Sequence, residues 1–128
     1  MLDIVGFVIA IIVAIFGYRA ASRKQQQQAI DGYTIKQLED SGMDVSKEHR
    51  LEFWFYANIE AGMKKLAQEL EQRNFEVQLN ETEQDPQFVI VAFKDMVPEL
   101  GKMQLLRKEL VQLASTNHVS FDGWGCSH

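Results

Sequence analysis

Alternating hydrophobic positions predict four β-strands in the second part of the chain. The stretch "RLEFWFYA", residues 50–57, has large apolar side chains at every second position and is rich in aromatics, which is typical of a strand. "FEVQLNE", residues 75–81, alternates in the same way, and so does "HVSFDGWG", residues 118–125. "FVIVAF", residues 88–93, is apolar at successive positions, which favours an interior strand.

Apolar residues at helical spacing predict a helix between the first and second strands. It runs from Ile59 to Leu70. We expect Asn58 to be its N-cap and Asn74 to take the left-handed conformation after its C-terminus.

A second helix is predicted between the third and fourth strands, starting near Pro98. Ahead of the first strand, residues 34–40 predict a short helix that ends near Gly42 and directs Ile35 and Leu38 inward. The apolar stripe of the helix after Pro98 consists of Leu100, Met103, Leu106, Leu110 and Leu113.

The order strand, helix, strand, strand, helix, strand predicts an α+β fold. Two split βαβ units of this kind make a ferredoxin-like βαββαβ sandwich with a four-stranded antiparallel sheet. The first and third strands are then central, the second and fourth are edges, and both helices cover one face. We assign this domain to residues 33–128.

The N-terminal segment predicts a single transmembrane anchor over residues 1–21. Its uncharged run of 15 residues, 4–18, spans about 22 Å as a helix, and its ends extend it toward the hydrocarbon thickness of a bilayer. Arg19, Arg23 and Lys24 follow the run and place the domain in the cytoplasm, on the inner membrane. A cleaved signal peptide or a buried helix is the alternative, although positive charge precedes the apolar run in signal peptides.

Polar composition and net charge differ between the parts of the chain before and after residue 30. Residues 22–32, with four consecutive glutamines, predict a polar, Gln-rich linker. Residues 1–30 carry a net charge of +2 and the remainder −7, within a total of −5. An acidic domain is a poor counterion for phosphate, which disfavours direct nucleic-acid binding.

The candidate chemistry of the chain is sparse. Cys126 and His128 stand two residues apart, but zinc needs about four ligands and only His49 and His118 remain to complete a set. A single cysteine makes no internal disulfide, which fits a reducing compartment. We therefore expect no metal, no cofactor, no small-molecule substrate and no enzymatic activity.

The face of the sheet opposite the helices is the candidate partner surface. If Leu51, Phe53 and Phe55 face the helices, Trp54 and Tyr56 face away from them. Exposed apolar patches of this kind mark partner sites. The alternative is that Trp124 or residues 30–45 fold over this face and bury it. The candidate partner-binding residues are Trp54, Tyr56, His118 and Ser120.

Four segments resemble the RraB family, regulators of ribonuclease E activity. They are "LEDSGMDVSKEHRLEFWFY", "GMKKLAQELEQRNFEV", "FVIVAF" and "FDGWG". The resemblance implies a ferredoxin-like fold, no catalysis, and a protein partner that is ribonuclease E in the best-known members. Those members are soluble and continue into a long acidic tail after the motif, whereas this chain has the predicted anchor and stops three residues after it. The motif matches Phe121, Asp122, Gly123, Trp124 and Gly125.

The motif is expected to be mainly structural. Gly123 and Gly125 would allow the turn that brings the Trp124 indole back against the sheet. A buried indole N–H needs an acceptor, for which Asp122 is the nearest choice, or Asp122 stabilises the turn. Cys126, just after the motif, is incidental.

Two functions follow from these observations. The first is a membrane-anchored, non-catalytic module that binds and inhibits or modulates a partner enzyme, with ribonuclease E as the candidate. The alternative is an immunity-type or envelope protein that neutralises a toxin or joins a membrane complex.

Overall fold

The computed structural model describes residues 20–126, with side chains described from residue 30 onward. Within this range the fold is α+β, with three helices and one four-stranded antiparallel sheet. In chain order the elements are α1 (Ala20–Asp40), β1 (His49–Ala57), α2 (Glu60–Gln72), β2 (Glu76–Glu81), β3 (Phe88–Met96), α3 (Leu100–Thr116) and β4 (Ser120–Cys126).

The strand order in the sheet is β2-β3-β1-β4, with antiparallel pairing throughout. This is the order that two split βαβ units require, so the prediction that β1 and β3 are central is confirmed. The β1–β3 register pairs Phe53 with Ala92 and Trp54 with Val91. The β1–β4 register shifts between Trp54 and Phe55, which marks a bulge in the edge strand β4.

The core lies on one face of the sheet. Alternation along β1 buries Leu51, Phe53 and Phe55 beneath the helices, as predicted. The apolar sides of all three described helices join this cluster. Its helical members include Leu38 of α1, Met63, Leu66 and Leu70 of α2, and Met103, Leu110 and Ala114 of α3.

The described helices all end in the same way, with a residue of positive φ after the last turn. These residues are Gly42 (φ 97°), Asn74 (φ 67°) and His118 (φ 58°). After α2, the Phe75 N–H donates to the Leu70 carbonyl and the Asn74 N–H to the Glu71 carbonyl, which is a Schellman motif. The prediction for Asn74 is confirmed.

Two predictions about the helices are wrong. The N-cap of α2 is Ile59, whose side chain makes no capping bond, while Asn58 Oδ1 accepts from the Gln87 N–H at 2.8 Å. The amide therefore ties the start of β3 to the end of β1 instead of capping the helix. In α3, Leu100 is 42% exposed, because the buried stripe runs through Met103, Arg107, Leu110 and Ala114.

Helix α1 is longer than the predicted segment 34–40 and includes the glutamine stretch. Its C-terminal part contributes Leu38 to the core, with Ile35 packed against it, as expected. Asp31, which the sequence placed in the linker, is fully buried. Most of the predicted anchor, residues 1–19, lies outside the described residues. Between residues 20 and 126, no helix combines the length and the apolar character needed to cross a membrane.

Gly62→Ala is expected to destabilise the fold by about 1–3 kcal/mol, because overpacking at a rigid contact forces the backbone to shift. A Cβ at Gly62 would overlap the backbone carbonyl oxygen of Asn117, so α2 and the end of α3 would have to separate. Urea unfolding measures the change. Gly32→Ala is the control: it lies in α1 with nothing within 4 Å of its Cβ position, and it should raise stability, since alanine is the better helix former. Equal stability of Gly62→Ala and the unmodified chain would contradict this packing.

Candidate functional site

The face of the sheet opposite the core is here called the open face. It is formed by the strand residues that alternate with the buried core residues. On β1 it comprises Arg50, Glu52, Trp54 and Tyr56, which alternate with the buried core residues. Trp54 is 37% exposed, whereas its neighbours Phe53 and Phe55 are almost inaccessible. The register partners of these β1 residues on β3 are Asp95, Phe93, Val91 and Val89.

Neither segment that the sequence offered as a cover lies on the open face. The Trp124 side chain belongs to the core cluster on the helix side, and its register partner is Phe53. Of residues 30–45, Leu38 is part of the same cluster and Ile35, Met43 and Val45 pack against it. The alternative, in which either segment buries the open face, is therefore wrong, because both pack on the opposite side of the sheet.

One end of the open face is an ion-pair network around Arg50. Its guanidinium donates to Glu76 on β2, lies 4.0 Å from Asp95 on β3, and sits 4.8 Å from the ring centroid of Phe93. The hydrogen bond to Glu76 raises the pKa of Arg50, and the nearby carboxylates of Asp95 and Glu52 add to the effect. This end of the face is charged but internally paired.

The other end is aromatic. Trp54 stands between Val91 on β3 and Gly123 on β4. Two residues on, the Tyr56 hydroxyl donates to Asp122 Oδ2 at 3.2 Å. Partial burial and the negative charge of Asp122 both raise the pKa of Tyr56, so the phenol stays protonated and keeps donating at neutral pH.

The structure brings three of the four candidate partner residues together. Ser120 is the register partner of Tyr56, next to Trp54 on the same sheet. His118 is exposed but lies before β4, in the turn that ends α3. Its φ of 58° belongs to the same helix-ending motif that Asn74 makes after α2. The backbone conformation at His118 thus has a structural cause.

Trp124 is held by a buried polar cluster. Its indole N–H donates to Asp31 Oδ1 at 2.9 Å, and Arg107 Nε donates to the same oxygen at 2.8 Å. The indole acceptor is therefore Asp31 and not Asp122, which instead accepts from Tyr56. Phe121 completes the surroundings, with its ring centroid 5.2 Å from the Arg107 guanidinium carbon and 5.2 Å from the Phe55 ring.

Sequence reasoning missed Asp31 and Arg107. The available signal was Arg107 itself, because it follows Met103 by four residues and precedes Leu110 by three on a buried helical stripe. A cation at such a position requires a buried carboxylate. The chain has 18 acidic residues, and their spacing does not show which one it is.

The two glycines of the motif differ in backbone conformation. Gly123 has a φ of 153°, a value that side chains rarely adopt, and it lies within strand β4 next to the bulge instead of in the expected turn. Gly125 has no such conformation. A Cβ built at either position meets nothing within 4 Å.

Cys126 is a half-buried thiol. Its Sγ donates to the Arg50 carbonyl at 3.4 Å, and burial, with Glu52 nearby, raises its pKa, so the thiol is protonated and weakly nucleophilic at neutral pH. His128, its suggested partner, lies outside the described residues. Among residues that are described, no group of three or more potential ligands is placed to hold a metal ion.

Together, these features define a small α+β domain with a core on one face of its sheet and an exposed aromatic surface on the other. The chain belongs to the RraB family, described as Regulator of ribonuclease activity B, which matches residues 28–126. This is a regulatory, non-catalytic family. The matched region begins inside α1, three residues before Asp31, and ends at Cys126. No curated protein matches the chain.

Proposed function

We propose that this protein regulates ribonuclease activity without catalysis, by binding a protein partner through its open face. Ribonuclease E is the candidate partner, and the expected effect of binding is inhibition. The observation that carries the proposal is Trp54, an indole 37% exposed at the aromatic end of a face to which no described helix packs. Membership of a family of ribonuclease regulators supports the choice of target.

The open face has the anatomy of a protein-binding patch. Trp54 and Phe93 form an apolar centre beside the buried Val91, and charged side chains lie around them. Interfaces combine a desolvated centre of this kind with a polar rim, and tryptophan and tyrosine are the residues that most often dominate their energy. A rigid β-strand also presents Trp54 at little entropic cost, because its backbone is already ordered by pairing on both sides.

Trp54→Thr is expected to weaken inhibition of ribonuclease E by about 30-fold, which corresponds to roughly 2 kcal/mol for an aromatic anchor. Threonine keeps a β-branched residue in the strand while removing the indole. The measurement is the concentration of full-length protein that halves the rate of RNA cleavage by the purified enzyme.

Leu105→Ala is the matched control, since Leu105 is an apolar residue 73% exposed on α3, away from the sheet. It should inhibit as strongly as the unmodified protein. Urea unfolding of both variants checks that they are folded. Full inhibition by a folded Trp54→Thr variant would refute the open face as the binding surface.

Membrane attachment through residues 1–21, with the domain in the cytoplasm, is the second part of the proposal. Its support is the uncharged run 4–18 followed by Arg19, Arg23 and Lys24. An anchor would raise the effective concentration of the domain toward a partner on the same membrane without any new contact.

A further inference from the structure

Two glycines on β4 line the open face beside Trp54. Gly123 is the register partner of Trp54, and Gly125 is the register partner of Glu52. Trp124, between them, points to the core, so both glycines have their missing side chains on the open face. They form a strip of bare backbone, here called the glycine lane.

No contact among residues 20–126 requires glycine at position 125. Its φ lies outside the range that favours glycine, and a Cβ there would meet nothing within 4 Å. A glycine inside a strand costs about 0.5–1 kcal/mol relative to alanine. Strand glycines often mark a place where a ligand or another backbone comes close. Because the packing of the described residues does not explain the glycine, we attribute Gly125 to the close approach of another molecule.

Carboxylates flank the lane at both ends. Glu52 lies two residues before Trp54 on β1, about 7 Å away along the strand. Asp122 is held on the open face by the Tyr56 hydroxyl. Arg50, the cation on the β1 part of this face, lies against Glu76 and Asp95 and is also near Glu52, so four carboxylates, with Asp122, share the face with this one guanidinium. The surroundings of the exposed indole are therefore negative.

We propose that the partner lays an extended segment along the glycine lane and places an arginine guanidinium on the Trp54 indole, between Glu52 and Asp122. This inference rests on the proposed function, in which the open face binds the partner. A guanidinium is planar, stacks on an aromatic face and presents donors along its edge to carboxylates on either side. A lysine ammonium is a compact, strongly hydrated charge that lacks the planar stacking surface.

Two peptides test the choice of arginine. One is acetyl-Gly-Gly-Arg-Gly-Arg-Gly-Gly-amide, and the other has lysine in place of both arginines. Binding to full-length protein is followed by NMR through the indole N–H signals of Trp54 and Trp124. We expect the arginine peptide to shift the Trp54 signal and leave the buried Trp124 signal in place, with a Kd at least fivefold lower than for the lysine peptide.

Gly125→Val tests the lane. A side chain there occupies the space over the backbone, so arginine-peptide affinity should fall at least tenfold, while Gly32→Ala on α1 should bind normally. Equal affinity for the two peptides, a shift at Trp124 instead of Trp54, or unimpaired binding by folded Gly125→Val would overturn this inference. The proposed function fails separately, if Trp54→Thr still inhibits ribonuclease E fully while the arginine peptide behaves as expected.

Discussion

Replacement of Trp124 by alanine is expected to lower the free energy of unfolding by about 3–5 kcal/mol, the range for a large buried aromatic side chain. The indole packs in the core cluster against the helix side of the sheet. Its removal leaves a cavity between β4 and the helices, and Asp31 loses one of the two donors to its Oδ1. Urea unfolding of the full-length protein measures the change.

Trp124→Phe separates the two contributions. Phenylalanine keeps a six-membered aromatic ring but loses the indole N–H and two ring carbons, so it leaves a much smaller cavity than alanine. Asp31 Oδ1 keeps Arg107 as a donor, so the variant should lose about 1.5–3 kcal/mol, the contribution of one hydrogen bond to a charged group, and be clearly more stable than Trp124→Ala. An unfolding midpoint for Trp124→Ala equal to that of the unmodified chain would mean that the indole does not support the fold.

Asp31→Ala is expected to be as damaging, at about 3–5 kcal/mol, because removing one partner leaves a buried charge uncompensated. Arg107 is only 9% exposed, and its Nε would lose its acceptor together with the indole N–H. Asp31 also joins α1 to α3 and β4, so its loss should loosen α1, which then stays attached through Leu38 and Ile35. Hydrogen exchange of the α1 amides, alongside urea unfolding, measures both effects.

A double substitution isolates the ion pair. Adding Arg107→Met to Asp31→Ala removes the uncompensated charge, so the double variant should be more stable than Asp31→Ala alone. Asp40→Ala is the control on the same helix, where the exposed pair with Lys36 at 3.8 Å is worth less than about 1 kcal/mol. A double variant less stable than Asp31→Ala would show that Arg107 contributes mainly by packing.

Local rules account for the elements that the sequence predicts well. Alternation in residues 50–57 identifies β1 and its buried parity, since successive side chains of a strand point to opposite faces. The left-handed residue Asn74 follows from the need to satisfy the last carbonyls of α2. Asn58 was mispredicted because its amide can satisfy either the helix or a neighbouring loop. In the fold it accepts a hydrogen bond from the Gln87 N–H, which lies 29 residues later in the chain.

The sequence by itself determined the strand order, which strand residues face the core, and that Trp54 lies on the opposite face of the sheet. These features depend on the alternation of side chains along a strand and on the order of helices and strands. Only the tertiary structure decided that α1 packs on the helix side and leaves the open face uncovered by residues 30–45. The same holds for the acceptor of Trp124, which lies 93 residues away in the chain. Which of the 18 acidic residues becomes the buried acceptor depends on where its hydrogen-bond donors lie in three dimensions. The spacing of these residues along the sequence does not show that position.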